Sequence, residues 1–298
     1  MPYCIGVDVG GTQTKLVAVE PSGQILSSST ATTSGQNAGW AQQVRESVQA
    51  FQEKCGPRAG RIGIAAPGLA ATDNRSIANM PGRLVGIEGL DWTDFLGCEH
   101  AVMVLNDAHA ALVGEHWIGA ACGFRDVILL TLGTGVGGAI LLNGKLWQGR
   151  RGLAGHLGHI CLDVGGLPDI VGVPGSLEDA IGECTLERRS GGRYRSTRDL
   201  IAGYRAGDTE ATAIWLKSVR ALACAIASLI HALDPEAVVV GGGISQSADA
   251  LFAPLKRCLD EVEWRPQGPR VEILPAQLGE FSGALGSARY AMTEGELR

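Results

Sequence analysis

The chain contains no run of Lys and Arg, and over its 298 residues acidic side chains outnumber basic ones by 31 to 25, for a net charge of −6. A nucleic-acid partner normally requires a basic face, so none is expected. No apolar stretch approaches the roughly 18 residues that a membrane-crossing helix needs, and no membrane partner is expected either. An apolar, strand-like run begins at Cys4, so neither a leader peptide nor a preceding helix-turn-helix segment is expected. The eight cysteines (Cys4, Cys55, Cys98, Cys122, Cys161, Cys184, Cys224 and Cys258) are scattered singly, with no C-x-x-C pair. That pattern supports neither a disulfide framework nor a thiolate metal site, and fits reduced, mostly buried thiols in a cytoplasmic protein.

Glycine, by contrast, is abundant: 43 residues, most of them in turns, in a chain that is 45% hydrophobic and has length for two domains of ordinary size. The most informative turn is Asp8-Val9-Gly10-Gly11-Thr12-Gln13-Thr14-Lys15, which joins an apolar run ending at Val7 to another from Leu16 to Val19. Adjacent glycines let backbone N–H groups approach a phosphate, Thr12 and Thr14 offer hydroxyls, Lys15 offers charge, and Asp8 can orient a hydrated magnesium ion. The helix-opening phosphate loop, with Gly-Lys-Ser/Thr before a helix, is a different signature. Taken alone, this segment also reads as an ordinary glycine hairpin.

A second copy weighs against the ordinary reading. Val127 to Leu130 leads into Thr131-Leu132-Gly133-Thr134-Gly135-Val136-Gly137-Gly138 and out through Ala139 to Leu142. The first unit continues through Ser22-Gly23 into Gln24 to Leu26, the second through Asn143-Gly144 into Lys145 to Trp147, so each opens a three-strand meander. Two such units about 120 residues apart imply two related lobes, and suit a phosphate clamp closing around a nucleotide.

Between them, Ala38 to Lys54 has helical spacing, with Trp40, Val44, Val48 and Phe51 on one face. Strands are expected at Arg61 to Ala66 and Val102 to Leu105, and a short helix from Trp92. Asn106-Asp107-Ala108 precedes a helix through Ala110 to Ile118. Asp107 is suited to capping that helix. At the carboxyl end of a buried strand it is equally placed to accept a proton from an alcohol during phosphoryl transfer, and the two phosphate-type turns favour the base. Farther on, Asp208 to Leu233 reads as a long buried helix ending at Asp234-Pro235, and Val271 to Leu274 as a last strand. Trp147 and Trp215 are expected in the core.

The motifs Asp8-Val9-Gly10-Gly11-Thr12 with Lys15, Pro67-Gly68, Asn79 with Pro81-Gly82, Leu105-Asn106-Asp107-Ala108, Thr131 to Gly138, Gly155-His156-Leu157-Gly158-His159 and Gly241-Gly242-Gly243 occur in the order found in ROK-family sugar kinases, and nearly the whole chain resembles that family. The resemblance implies an α/β fold of two RNase-H-like (actin/hexokinase-like) lobes with a central cleft. One lobe would span residues 1–115, with a terminal helix at about 280–298 packing back on it, and the other 116–279. It implies use of Mg-ATP, with Gly10 to Lys15 and Thr131 to Gly135 at the phosphates and Gly241-Gly242-Gly243 beside the adenosine. Asp107 would take the proton of a sugar hydroxyl, and Asn106, Gly68, Asn79, His159 and Glu178 would contact the sugar. The activity so implied is a glucokinase-like hexose kinase acting on the 6-hydroxyl, in a cytoplasmic homodimer. An N-acetylhexosamine, another hexose or a polyol as acceptor, and a sugar-binding regulator without catalysis, are the alternatives. Family regulators carry an N-terminal DNA-binding domain that this sequence does not show, and a pure sensor has no use for Asp107 and both turns.

Two departures stand out. Where the family has a Glu three residues before its His, this chain has His156, which as neutral imidazole offers one donor and one acceptor instead of acceptors only. Many family members also bind structural zinc through that His and a C-x-C-G-x-x-G-C segment. Counting ten, twelve and seventeen residues from His159 gives Asp169, Val171 and Ser176. With every thiolate gone, no structural zinc is expected. Pro168, Pro174, Ile170, Val171 and Val173 suggest that hydrophobic packing holds the segment instead.

Overall fold

In the computed structural model, residues 3–33, 39–56, 59–82, 84–266 and 268–293 are described. The first glycine turn is a hairpin. Strand β1 (Tyr3–Val9) runs antiparallel to β2 (Gln13–Val19), Val9 pairs with Thr14, and the Gly10 N–H donates to the Gln13 carbonyl at 2.9 Å. Strand β3 (Ile25–Thr32) completes the meander and runs well past Leu26. Its Ser and Thr residues alternate between half-buried and exposed, an edge-strand pattern with too little apolar contrast to read from sequence.

Strand β4 (Ala59–Ala66) lies parallel to β1. A two-stranded hairpin, β5 (Leu69–Ala70) with β6 (Ile77–Asn79), precedes β7 (Met103–Asn106), which lies parallel to β4. The sheet order is β3-β2-β1-β4-β7. A second sheet, from β8 (Val127–Leu132), β9 (Val136–Leu142), β10 (Lys145–Leu146), β11 (Ala237–Gly241) and β12 (Glu272–Pro275), has the order β10-β9-β8-β11-β12. Each is an antiparallel meander whose first strand continues into two parallel ones, so the repeat seen in the glycine turns is a repeat of topology.

The helices are α1 (Trp40–Cys55), α2 (Trp92–Leu96), α3 (Asp107–Ile118), α4 (Leu177–Ile181), α5 (Leu186–Arg189), α6 (Thr197–Arg205), α7 (Thr209–Leu233), α8 (Asp249–Val262) and α9 (Ser282–Met292). Trp40, Val44, Val48 and Phe51 are the buried face of α1. Ala38, and residues 294–298 of the terminal helix, lie outside the described residues. Compact units comprise residues 1–125, 139–155 and 277–298 in one case and 126–138 and 156–276 in the other.

In the first unit α9 packs on β1, β4 and α3. The approach is so close that a Cβ at Gly6 would overlap the Ala284 carbonyl, one at Gly63 that of Ser287, and one at Gly286 that of Ala110. In the second unit α7 is the central helix. By length and composition it could cross a membrane, contrary to the reading that no stretch is apolar enough. Its Trp215, Val219, Leu222, Ile226 and Ile230 are instead buried in the protein, and Asp208 caps its start by accepting from the Ala211 N–H.

Two further expectations are corrected. Only Cys4 is fully buried; Cys122, Cys161 and Cys184 are exposed, and all eight thiols are free. Trp215 is in the core, but Trp147 is 47% exposed and lines a cavity of about 440 Å³ with Thr72, Gln148 and Arg150.

Candidate active site

Parallel strands β1, β4 and β7 bring their carboxyl ends to one edge of the first sheet, where Asp8 pairs in register with Ala65 and Ala66 with Asn106. Loops beyond such an edge are where α/β sheets bind ligands. Asp107 follows directly as the first residue of α3. The cap of that helix is Asn106, not Asp107: the Asn106 Oδ1 accepts from the Ala108 and His109 N–H groups at 2.9 and 3.3 Å. Asn106 is extended (φ −60°, ψ 147°) and buried, as a cap at a strand end must be, and its Nδ2 donates to the Gly68 carbonyl at 2.9 Å. Asp107 is therefore relieved of capping. Its carboxylate is exposed and accepts from the Ala108 N–H through Oδ1 at 2.8 Å.

Asp8 is closely surrounded by protein. Burial raises its carboxyl pKa to about 7, the negative charge of Asp107 adds to the rise, and Lys15, its cross-strand partner, opposes it. A Cβ at Gly283, the second residue of α9, would come within 2.9 Å of an Asp8 oxygen, so the glycine admits the carboxylate to the helix start. Sequence reading missed Gly283; its signal is the small-residue stretch Ser282-Gly283-Ala284, which only the packing of α9 on β1 makes meaningful.

Within the adjoining turn, Gly11 and Thr12 are exposed, and a Cβ on Gly11 would meet no protein atom within 4 Å. The fold therefore does not need glycine at that position, and the open face is available to an anion. Thr14 is a correction. It is 1% exposed and its hydroxyl hydrogen-bonds Thr33 at 2.6 Å, because strand alternation turns it to the core while Gln13 and Lys15 lie on the other side. Gly68 has φ +102°, and a Cβ there would press on Asn79 O and Met80 Cβ. Asn79 lies exposed on β6, its Nδ2 donating to Glu88 Oε1 at 3.4 Å.

In the second unit, the ends of parallel strands β8 and β11 stand side by side, with Thr131 paired to Gly241. Gly242 (φ +85°) packs on Leu132 with no room for a Cβ, whereas Gly133 and Gly243 meet no protein atom within 4 Å. The turn is fixed by the Gly133 N–H donating to Gly135 O, the Cys184 N–H to Thr134 O, and the Val136 N–H to Glu178 Oε2 at 2.9 Å. Glu178 thus holds the glycine turn with one carboxylate oxygen. The 3-10 turn Leu157–His159 lies against the same strand, since a Cβ at Gly158 would overlap the Val136 carbonyl. Val136 thereby gathers Glu178 and the His156–His159 segment in one unit. Burial, and then the charge of His159, lower the His156 pKa, so the ring is neutral near pH 7.

The segment after His159 contradicts the expected hydrophobic packing. Val164, Leu167, Ile170 and Val171 are all more than half exposed. Polar contacts hold it: His159 Nδ1 donates to Asp169 Oδ2 at 2.8 Å, and Asp169 Oδ1 accepts from the Val171 and Val173 N–H groups at 3.0 Å each. Ser176, which caps α4, also hydrogen-bonds Asp169. Burial raises the Asp169 pKa, but these bonds outweigh it and hold the carboxyl below its ordinary range. Both Asp169 oxygens are engaged and only one imidazole faces them, so this donor set does not fit a tetrahedral zinc ion.

A profile of the ROK family matches residues 4–294. The glucokinase of Thermotoga maritima is 32% identical over 304 residues, covering 95% of each chain. The N-acetyl-D-glucosamine kinase of Yersinia pseudotuberculosis is 30% identical over 97% of this chain and 99% of its own. Among solved structures, a ROK family glucokinase from Streptomyces griseus in complex with glucose and AMPPNP superposes with a TM-score of 0.81 at 30% identity, covering 98% of this chain and 99% of that one.

Proposed function

The chain belongs to the ROK family, and from that premise we propose that it transfers the γ-phosphoryl group of ATP to the 6-hydroxyl of a hexose. Its fold is that of the ROK sugar kinases, and it is an ATP-dependent hexose kinase. The observation that carries the residue-level reading is the pair of unlike carboxylates at the edge of the first sheet, one half-buried and one exposed, beside an open glycine turn.

Their surroundings divide the work. Asp107, exposed and free of capping duty, takes the proton of the acceptor hydroxyl as that oxygen attacks the γ-phosphorus; the bond to the β–γ bridging oxygen breaks and ADP departs. Around Gly10, whose N–H is taken by the Gln13 carbonyl and which shapes the turn, the backbone N–H groups of Gly11 and Thr12, with Lys15, hold phosphate oxygens in the first unit. In the second, the Thr131 and Thr134 hydroxyls and the Gly135 N–H do the same around Gly133, whose own N–H is taken by Gly135 O, and Gly241, Gly242 and Gly243 lie along the nucleoside. Asp8 fits a magnesium site by its chemistry, because a cation there offsets the burial and, after it, the repulsion from Asp107 that together raise its pKa. Mg2+ bound with the nucleotide supplies charge neutralisation on the phosphates. On the acceptor side, Gly68 and Asn79 border the sugar, the second Nδ2 hydrogen of Asn106 reaches a neighbouring hydroxyl, and His156, His159 and the second oxygen of Glu178 complete its contacts.

An N-acetylhexosamine as acceptor is the second reading, favoured by the donor–acceptor character of His156 and by the N-acetyl-D-glucosamine kinase among the relatives. ADP release coupled to a dye, measured over a panel of hexoses and N-acetylhexosamines, tests both. Glucose is expected to lead; the absence of sugar-dependent turnover with every sugar of the panel would end the kinase reading, and preference for an N-acetyl sugar would select the second.

A further inference from the structure

Asp169 stands where the family's zinc-binding segment has a thiolate, but its carboxylate does more than close a loop. One oxygen is pinned by two backbone donors, Val171 N–H and Val173 N–H. The other faces His159 Nδ1, and no hydrogen bond joins His159 Nε2 to protein among the described residues. A carboxylate only accepts, so the proton of a neutral His159 must sit on Nδ1, leaving Nε2 as a lone pair. We propose that Asp169 is a positioning residue that fixes the tautomer of His159, so that His159 presents a hydrogen-bond acceptor to a hydroxyl of the sugar. The identity of the sugar-facing atom rests on the kinase reading above; the tautomer does not.

Asp169→Asn makes the inference sharp, because the amide has no choice of orientation. The Val171 and Val173 N–H groups require an acceptor, which keeps the amide oxygen on their side and turns the amide NH2 toward His159 Nδ1. Nδ1 then has to accept, the proton moves to Nε2, and the group offered to the sugar changes from acceptor to donor. Size and loop anchoring are almost unaltered.

The test is 15N–1H correlation spectroscopy of the full chain with 15N-labelled histidine, His159 being assigned by the loss of its signals in His159→Gln. At an alkaline pH where the 15N shifts themselves report a neutral ring, wild-type His159 is expected as the Nδ1–H tautomer and the Asp169→Asn protein as Nε2–H. In steady-state assays on the sugar that the panel selects, Asp169→Asn should raise the sugar KM by about three- to tenfold, the worth of one neutral hydrogen bond, with kcat within about twofold. Wild-type His159 found as Nε2–H overturns the proposal without any variant. A normal KM in Asp169→Asn despite a reversed tautomer, or a kcat loss with KM unchanged, would also overturn it. If wild type turns over no sugar while His159 is the Nδ1–H tautomer, the kinase reading fails and the role of Asp169 in fixing the ring stands.

Discussion

Asn106 and Asp107 are adjacent, similar in size and both able to cap a helix, yet they divide two roles that neither could combine. Capping needs an extended residue whose oxygen turns back to the N–H groups ahead of it, and Asn106 at the end of β7 has that geometry. Asp107, already helical, points outward. Asp107→Asn should therefore lower kcat by about 10²- to 10⁴-fold, the usual worth of a general base, while the sugar dissociation constant measured by calorimetry changes little. Activity surviving in that variant would return Asp107 to a structural role. His156 carries the choice of substrate in the same way. As a neutral ring it gives one donor and one acceptor, and His156→Glu replaces them with acceptors only. The ratio of kcat/KM between hexoses and N-acetylhexosamines should move toward the hexoses by about tenfold, the worth of one repaired hydrogen bond; an unmoved ratio would take His156 out of the sugar contacts.

Helix α9 is where an element, more than any residue, sets the site. It lies on β1, β4 and α3 with a glycine on one side of each close contact, Gly6 against Ala284, Gly63 against Ser287 and Gly286 against Ala110, and its start admits the Asp8 carboxylate at Gly283. Gly286→Ala would drive a methyl into the Ala110 backbone carbonyl, and no side-chain rotation can relieve a clash with backbone. An expected loss of about 1–3 kcal/mol, or more if α9 lifts, would appear in urea unfolding, with kcat falling as Asp8 shifts. The β1–β2 turn predicts the opposite pattern. Gly11 meets no protein atom and does not have positive φ, so Gly11→Ala should leave unfolding unchanged while raising the ATP KM by about tenfold, if that space receives a phosphate. Equal effects of the two substitutions on stability would contradict this division between packing glycine and ligand glycine.

For the molecule as a whole, what could be read from sequence was local. The glycine turns, the α1 face of Trp40, Val44, Val48 and Phe51, and the start of α7 at Asp208 depend on spacing within a few residues, and the matching meanders announced two sheets of one plan. What could not be read depends on segments meeting across the chain: the Thr33 hydroxyl that partners the inward-facing Thr14, the Gly68 carbonyl that selects Asn106, Glu178 on the second turn, and Asp169 on His159. Asp8 belongs to this class, and its setting makes stability depend on pH. Folding raises its pKa from 3.8 to about 7. Between those values the folded state holds a proton that the unfolded state has released, so unfolding free energy falls as pH rises through that window, and the cost is complete above about pH 7. Three pKa units set a ceiling of about 4 kcal/mol, which water reaching the carboxylate reduces to roughly 1–2. Asp91, Asp169 and Asp208, whose pKa values folding lowers, have the opposite dependence, but they are common to wild type and an Asp8 variant and cancel in the comparison. Asp8→Asn should accordingly be more stable than wild type near pH 8, by urea unfolding without ligands, and the gap should close toward pH 4. Adding Mg-ATP near pH 8 should reverse the order, because the charge that destabilises the empty site is the one that holds the cation. A gap independent of pH, or a less stable variant near pH 8, would show that Asp8 is already ionised at no cost and that burial beside Asp107 is not what prepares the site for a cation.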